Sequence, residues 1–458
     1  MSMWPGRDST RDSIRGPLDE SIFEPLDEPG RDSAPEPFHD SSPEPAKGVS
    51  GNIFYLVLVQ AITYLAPLIT LPYLTRTLDV GHYALLGFTQ AVIQYFVLVT
   101  DYGFGITATR LIAIDSRNKN AVSAVVANTL AVKLLLAIAC ALFSLLLMAV
   151  FSDLGENALL LAACFIGVLG NALFPTWLFQ GLEKMQMLAF ITCMSRLLPL
   201  PFFFLFVKTP DDVIRAAILQ NIPGLLAAIA SFYYLSQQGI VGRSAVSART
   251  IKAMLQEGWP VFLSNMSTSF YTGINLILLK IFSGADQVAY FAATDKIRLA
   301  AQGFIQPIAS ALFPRIVALG RKAESAAASR ALVLRGTVLL VALELAGGLV
   351  LYFGADLIAR RYLGADFLAA AVYLKSLAFL PVIIAVATVI SQWRFLALGE
   401  SRVLSRIYLI AGPLHALYAS YLTYAHQSSG LIASLYITEI GITLAMIAVA
   451  QRKQIPLL

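Results

Sequence analysis

Arg196 and Arg298 each stand about a dozen residues inside a long apolar stretch, with Lys296 beside the second and Lys133 about eleven residues into another. An ionisable side chain at bilayer depth costs on the order of 2.5–3.5 kcal/mol, so it is kept there only by a partner or a wet cavity. Guanidinium forks match phosphate oxygens. The chemistry these residues could perform is therefore reception of an anionic head group, which makes Arg196, Arg298, Lys296 and Lys133 the substrate-binding candidates. The competing reading is local pairing, for instance of Arg298 with Asp295 three residues earlier on the same helix face.

Glu344 and Glu439 are isolated acids within apolar runs. With Asp295 they are the candidates for ion coupling, since a carrier driven by a proton gradient needs an acid in its membrane path; pairing with a basic residue of another helix is the alternative. Lys280 and Lys375 lie close enough to predicted helix ends to snorkel to the interface. Asp101, in the run DYGFG, caps or pairs near the end of its helix. His39, His82, His415 and His426 show neither metal spacing nor a nucleophile–base arrangement, and His415 reads as a helix-packing group. Cys140, Cys164 and Cys193 all fall in apolar runs. No catalytic set, metal motif or cofactor motif is legible, and nothing points to nucleic acid.

The elements that must position these charges are membrane helices. Hydrophobic residues make up 57% of the chain and charged residues 13%, and the mean hydropathy is +0.71. Those values exclude a soluble globular domain. A crossing needs about 20 apolar residues, and twelve such runs occur, near 51–75, 83–109, 122–151, 157–180, 185–207, 212–237, 253–282, 286–313, 327–353, 369–397, 402–424 and 428–450. The fold class is an all-α polytopic membrane protein, with kinks expected at Pro199 and Pro201. Residues 1–50 carry five basic and eleven acidic side chains, a net of −6, which leaves +11 on the remainder of a chain of total charge +5. This Pro-, Ser- and acid-rich tail reads as disordered and cytoplasmic, and lacks the order of a signal peptide.

Alternate loops hold seventeen basic residues against five, which places the richer set and both termini in the cytoplasm. The loop from Gly354 to Ala370, with Arg360 and Arg361, is the exception. Three correspondences suggest an internal repeat. Tyr83 matches Tyr290, Arg110-Leu-Ile-Ala matches Arg315-Ile-Val-Ala, and Trp177-x-Phe matches Trp393-x-Phe, at shifts of 207, 205 and 216 residues. The expected organisation is a six-helix lobe over 51–238, a cytoplasmic linker over 239–252 and a second six-helix lobe over 253–458, related by a parallel repeat. Halves of this kind suit alternating access about a midplane site. Asp295, Lys296 and Arg298 align with the uncharged positions around Thr89–Ile93, so these charges belong to one half only.

The runs LAPLITLPYLTRTLDVGHYALLGF, DYGFGITATRLIA, FPTWLFQGLEKM, EGWPVFLS and VAYFAATDKI, with the FPR ending at Arg315, resemble the Wzx-type O-antigen and exopolysaccharide flippases, over roughly residues 50–450. These belong to the polysaccharide transporter branch of a superfamily that also holds multidrug extruders and lipid II flippases. The resemblance implies translocation of a polyprenyl-diphosphate-linked oligosaccharide across a bacterial inner membrane, a cationic lumen between two lobes, and coupling to an ion gradient. Its implied partners are the lipid-linked glycan, the bilayer, and a polysaccharide polymerase with its chain-length regulator. Two alternatives stand beside it: a cation-coupled drug extruder of the same superfamily, and a membrane polymerase or ligase. The first commonly keeps an acid in helix one, and 51–75 has none; the second needs a catalytic outer loop, and the longest here is about 17 residues.

Overall fold

The computed structural model describes residues 47–240, 242, 244–303, 305–320 and 326–455. The acidic tail lies outside the described residues up to position 46. The first part of the chain forms α1 Lys47–Thr77, α2 Val80–Asp101, α3 Phe104–Ile114, α4 Lys119–Val150, α5 Ser152–Glu156, α6 Ala158–Leu173, α7 Thr176–Gly181, α8 Met185–Leu197, α9 Leu200–Phe206 and α10 Val213–Gln237. The second part forms α11 Ala248–Thr272, α12 Asn275–Phe282, α13 Ala285–Gln302, α14 Ile305–Gly320, α15 Ala326–Leu357, α16 Ala370–Leu377, α17 Leu380–Thr388 and α18 Ser401–Arg452. No strand occurs among the described residues.

Ten helical stretches of the described residues are long and apolar enough to cross a membrane. Two features account for the difference from the twelve runs. Runs 402–424 and 428–450 are continuous in α18, broken only at Gln427, whose φ of 53° and ψ of −134° are not helical. His415 Nδ1 nevertheless lies 2.6 Å from Thr438 Oγ1, whereas a straight helix would hold residues 23 apart about 35 Å from each other. The helix therefore folds back at Gln427. Run 253–282 is α11 followed by α12, and Ser264, Asn265, Ser267, Thr268 and Ser269 make it more polar than its neighbours.

Prolines and one glycine decide where the long helices break. Pro199 and Pro201 separate α8 from α9, as expected. Pro72 lies inside α1 and cannot donate to the carbonyl of Leu68 four residues back; the hydroxyl of Tyr362 donates to that carbonyl instead. In DYGFG, Tyr102 and Gly103 adopt φ of 44° and 85° and divide α2 from α3. A Cβ on Gly103 would stand 2.7 Å from Val261 Cγ1, so both the backbone angle and the neighbour require glycine.

We call the side where α1 begins the near face and the side where it ends, at Thr77, the far face. At the far face one apolar core runs through both parts of the chain, from Leu71, Tyr83 and Phe88 to Phe291, Leu363 and Phe367. Toward the near face the cores are separate: one around Phe104, Trp177 and Phe179, and two others around Phe395 and Trp393. The far face is also stitched by polar bonds. Thr75 Oγ1 donates to the Leu363 carbonyl at 2.7 Å, Lys280 pairs with Asp153 at 2.8 Å, and Arg76 donates to the Arg361 carbonyl. The loop carrying Arg360 and Arg361 is thus folded, as a π-helical stretch Ile358–Leu363 and a turn Ala365–Phe367.

Candidate functional site

Arg196 stands in the last turn of α8, just before the proline break to α9. It lines a chamber of ≈ 200 Å³ whose wall also includes Tyr83 and Gln90 of α2, Gln220 of α10, and Lys296 of α13. Arg196 makes no hydrogen bond or ion pair with the described residues. Lys296 reaches in from the second part of the chain; its Nζ is 3.4 Å from the Tyr83 hydroxyl and 5.3 Å from the centre of that ring. A neutral hydroxyl and a ring face hold an ammonium without cancelling its charge. Two cations from different parts of the chain therefore line one chamber, each free of an ion-pairing carboxylate.

The other basic candidates are engaged. Arg298 donates Nε to Asp295 Oδ1 at 2.7 Å and Nη1 to Gln302 Oε1 at 2.6 Å, the pairing that their spacing on α13 permits. Lys133, only 2% exposed, places Nζ 3.3 Å from Asp101 Oδ1 and 3.3 Å from the Asn171 carbonyl. Lys280 and Lys375 both meet aspartates near the far face, Asp153 at 2.8 Å and Asp356 at 2.7 Å.

The acids lie elsewhere. Glu439 is buried on the second arm of α18, within electrostatic reach of Arg298 and of Tyr271, Tyr408 and Tyr418. His415 is fully buried between helices, with Nδ1 2.6 Å from Thr438 Oγ1 and Nε2 3.2 Å from Asn275 Oδ1, the contacts of a helix-packing group. Glu344 on α15 is buried, and its Oε1 has no hydrogen-bond partner among the described residues. Neither glutamate lines the chamber of Arg196 and Lys296. Among the described residues no group of three or more His, Cys, Asp and Glu could hold a metal ion.

Sequence reasoning passed over the uncharged part of the wall. Gln90 and Gln94 on α2, Thr192 and Ser195 beside Arg196 on α8, and Gln220 and Asn221 on α10 all face cavity space. The spacing of four between Gln90 and Gln94 and of three between Thr192 and Ser195 was the available signal, since it aligns polar groups on one side of otherwise apolar helices.

The profile of a family described as polysaccharide biosynthesis protein matches residues 49–319. The chain belongs to that family. This polysaccharide biosynthesis protein is 36% identical over 397 residues to "Putative O-antigen transporter" of Shigella dysenteriae, an alignment covering 86% of this chain and 98% of the relative. It is 31% identical to the protein of the same name from Escherichia coli strain K12, over 86% of this chain and 95% of that one. Its fold is that of solved membrane transporters. The lipid II flippase MurJ in an inward closed conformation matches with a TM-score of 0.68 at 13% identity, covering 88% of this chain and 87% of MurJ. An inward-facing multidrug resistance MATE transporter matches with a TM-score of 0.60 at 18% identity, covering 86% and 96%.

Proposed function

We propose that this protein translocates a polyprenyl-diphosphate-linked oligosaccharide from the inner to the outer leaflet of a bacterial cytoplasmic membrane, for O-antigen or exopolysaccharide synthesis. The observation that carries the reading is the convergence of Arg196 and Lys296 on one chamber, neither of them ion-paired with a described carboxylate. Two cations facing one chamber without a direct ion pair favour an anionic ligand, and a diphosphate supplies negative charge together with oxygens that suit a guanidinium. The names of the two relatives support the cargo, and their description as transporters supports a carrier over a polymerase or ligase.

The cycle is alternating access between two halves of six crossings each, 51–238 and 253–458, joined by the linker 239–252. Three features support the repeat. Tyr83 and Tyr290, the matched openers of α2 and α13, both set an edge-on ring against Phe367, at 5.5 and 5.6 Å. Trp177 of α7 packs on α3, accepting a bond at its carbonyl from Thr109 at 3.2 Å. Trp393 packs on α14, though with a different bond: its indole donates to the Ala309 carbonyl at 2.9 Å. The shared far-face core is then the closed gate, and the basic-rich near face is the cytoplasmic side that bears both termini. Arg298 and Asp295, held to each other and within reach of Glu439, form the candidate ion-coupling cluster, and Glu344 is a second buried acid for that role. A polymerase and chain-length regulator act on the product.

The gene's deletion tests the function. Surface polysaccharide should disappear and return with the wild-type gene, while drug sensitivity stays unchanged. Normal surface polysaccharide in a strain with no related transporter, or a broad rise in drug sensitivity with polysaccharide intact, would overturn it.

A further inference from the structure

Arg360 and Arg361 break the charge rule that the rest of the chain follows. Short outer loops avoid arginine, yet these two are consecutive in the loop from Gly354 to Ala370, and neither lines the chamber of Arg196. The fold brings them a third. Arg76, in the last turn of α1, donates to the Arg361 carbonyl, so a guanidinium from the first part of the chain lies on the backbone that carries both arginines of the second. Its stem is seated as well: Gly364 has a φ of 115°, and a Cβ there would stand 2.9 Å from Arg76 Cγ. All three arginines are exposed.

Three other cations of the far face are neutralised by neighbours. Lys280 meets Asp153 at 2.8 Å, Lys375 meets Asp356 at 2.7 Å, and Arg215 meets Asp212. Among the described residues, none of Arg76, Arg360 and Arg361 has an ion pair. The acids nearest to them in the chain are turned elsewhere. Asp79 is held by His82 at 2.8 Å, Asp356 by Lys375, and Asp366 stands beside Tyr290, which donates to its carbonyl at 3.3 Å. The Arg361 carbonyl accepts from Arg76 but cancels none of its charge. Three guanidiniums therefore share one patch and keep N–H donors for oxygens from outside the protein. Their forks match phosphate. The patch lies where α1 completes its crossing, at the depth of lipid head groups, so the phosphates it meets belong to lipids.

We propose that Arg76, Arg360 and Arg361 form a binding site for the phosphate-bearing head group of an outer-leaflet lipid, at the seam between the two parts of the chain. The inference rests on the reading of the far face as the outer side. Two sources have this chemistry: a prenyl diphosphate delivered by transport, and an anionic phospholipid of the bilayer.

Titration of full-length Arg196→Met/Lys296→Met protein with farnesyl diphosphate, in phosphatidylcholine nanodiscs and corrected for empty ones, isolates this site from the chamber. Binding should persist. Adding Arg360→Gln with Arg361→Gln, confirmed monodisperse, should weaken it at least about fivefold, as loss of charge-assisted bonds to phosphate gives. Removing the same charge from the near face, in Arg402→Gln with Arg406→Gln, should leave it unchanged. The inference is overturned by absence of binding in the chamber variant, by a smaller loss at Arg360 and Arg361, or by an equal loss at Arg402 and Arg406. Nanodiscs containing phosphatidylglycerol distinguish the sources. Competition by that lipid assigns the site to the phospholipid, and undiminished affinity assigns it to the prenyl diphosphate. Arg361→Cys in right-side-out spheroplasts reads the sidedness separately. Labelling by a membrane-impermeant maleimide places the site outside, whereas labelling only after lysis overturns the outer-leaflet assignment whatever the titration shows.

Discussion

Each intramembrane charge is decided by what stands within about 4 Å of it. Lys133 and Arg298 have carboxylates there, and Arg196 and Lys296 do not. Charge alone did not separate these cases in the sequence. The partner of Arg298 was legible, because Asp295 lies three residues away on the same helix. The partner of Lys133 was not, since Asp101 is 32 residues distant and is brought in by the packing of α2 on α4. The difference gives a prediction. Lys133→Met should lower thermal stability by about 1–3 kcal/mol by leaving Asp101 without its cation, and adding Asp101→Asn should recover part of that loss. The double variant should export polysaccharide at near wild-type level per folded molecule. Arg196→Met and Lys296→Met should insert normally and export none. Thermal unfolding in detergent beside surface-polysaccharide staining reads both effects, and an export defect in the double variant equal to that of Arg196→Met would return Lys133 to the substrate path.

Helix breaks at the scale of single elements follow from local chemistry and were largely readable. Pro199 and Pro201 divide α8 from α9 where proline requires it, and DYGFG divides α2 from α3 at a glycine. The reason Gly103 cannot change is tertiary, because Val261 of α11 fills the space beside it. Gly103→Ala should therefore cost about 1–2 kcal/mol for the left-handed backbone alone, with a steric part added. Val261→Ala in the same background should recover the steric part and leave the backbone part. Full recovery of the melting temperature by Val261→Ala would contradict the assignment of strain to φ. A similar test applies to α1: Tyr362→Phe removes the donor to the Leu68 carbonyl that Pro72 leaves open, and should lower stability by about 1 kcal/mol, read in the same unfolding assay. The polar chamber wall was legible only in part at this scale: helical spacing links Gln90 to Gln94 and Thr192 to Ser195, whereas the adjacent Gln220 and Asn221 carry no such signal.

The molecule as a whole is knit across both parts of the chain at the far face and divided into separate cores toward the near face. In the proposed cycle the far face is the gate that parts for release. The Asp153–Lys280 ion pair spans it at 2.8 Å. Asp153→Cys with Lys280→Cys, joined through two disulfides by a short bis-methanethiosulfonate, should hold the gate shut and stop export, and a thiol reductant should cleave the link and restore it. Undiminished export with the link intact would rule out opening at this place. The twelve apolar runs and the basic bias of alternate loops gave the helical architecture and a proposed sidedness. The folding of the Gly354–Ala370 loop into the gate was beyond them, because its contacts with α1 and α13 depend on residues far away in sequence.

If Arg196 and Lys296 carry a diphosphate-linked glycan across the bilayer, transport in proteoliposomes depends on both. Vesicles holding purified wild-type protein and a fluorescent polyprenyl-diphosphate oligosaccharide should pass the glycan to the opposite leaflet well above the rate of empty vesicles. Vesicles with Arg196→Met and Lys296→Met should match the empty ones at equal protein content. Wild-type rates in that double variant would contradict the account.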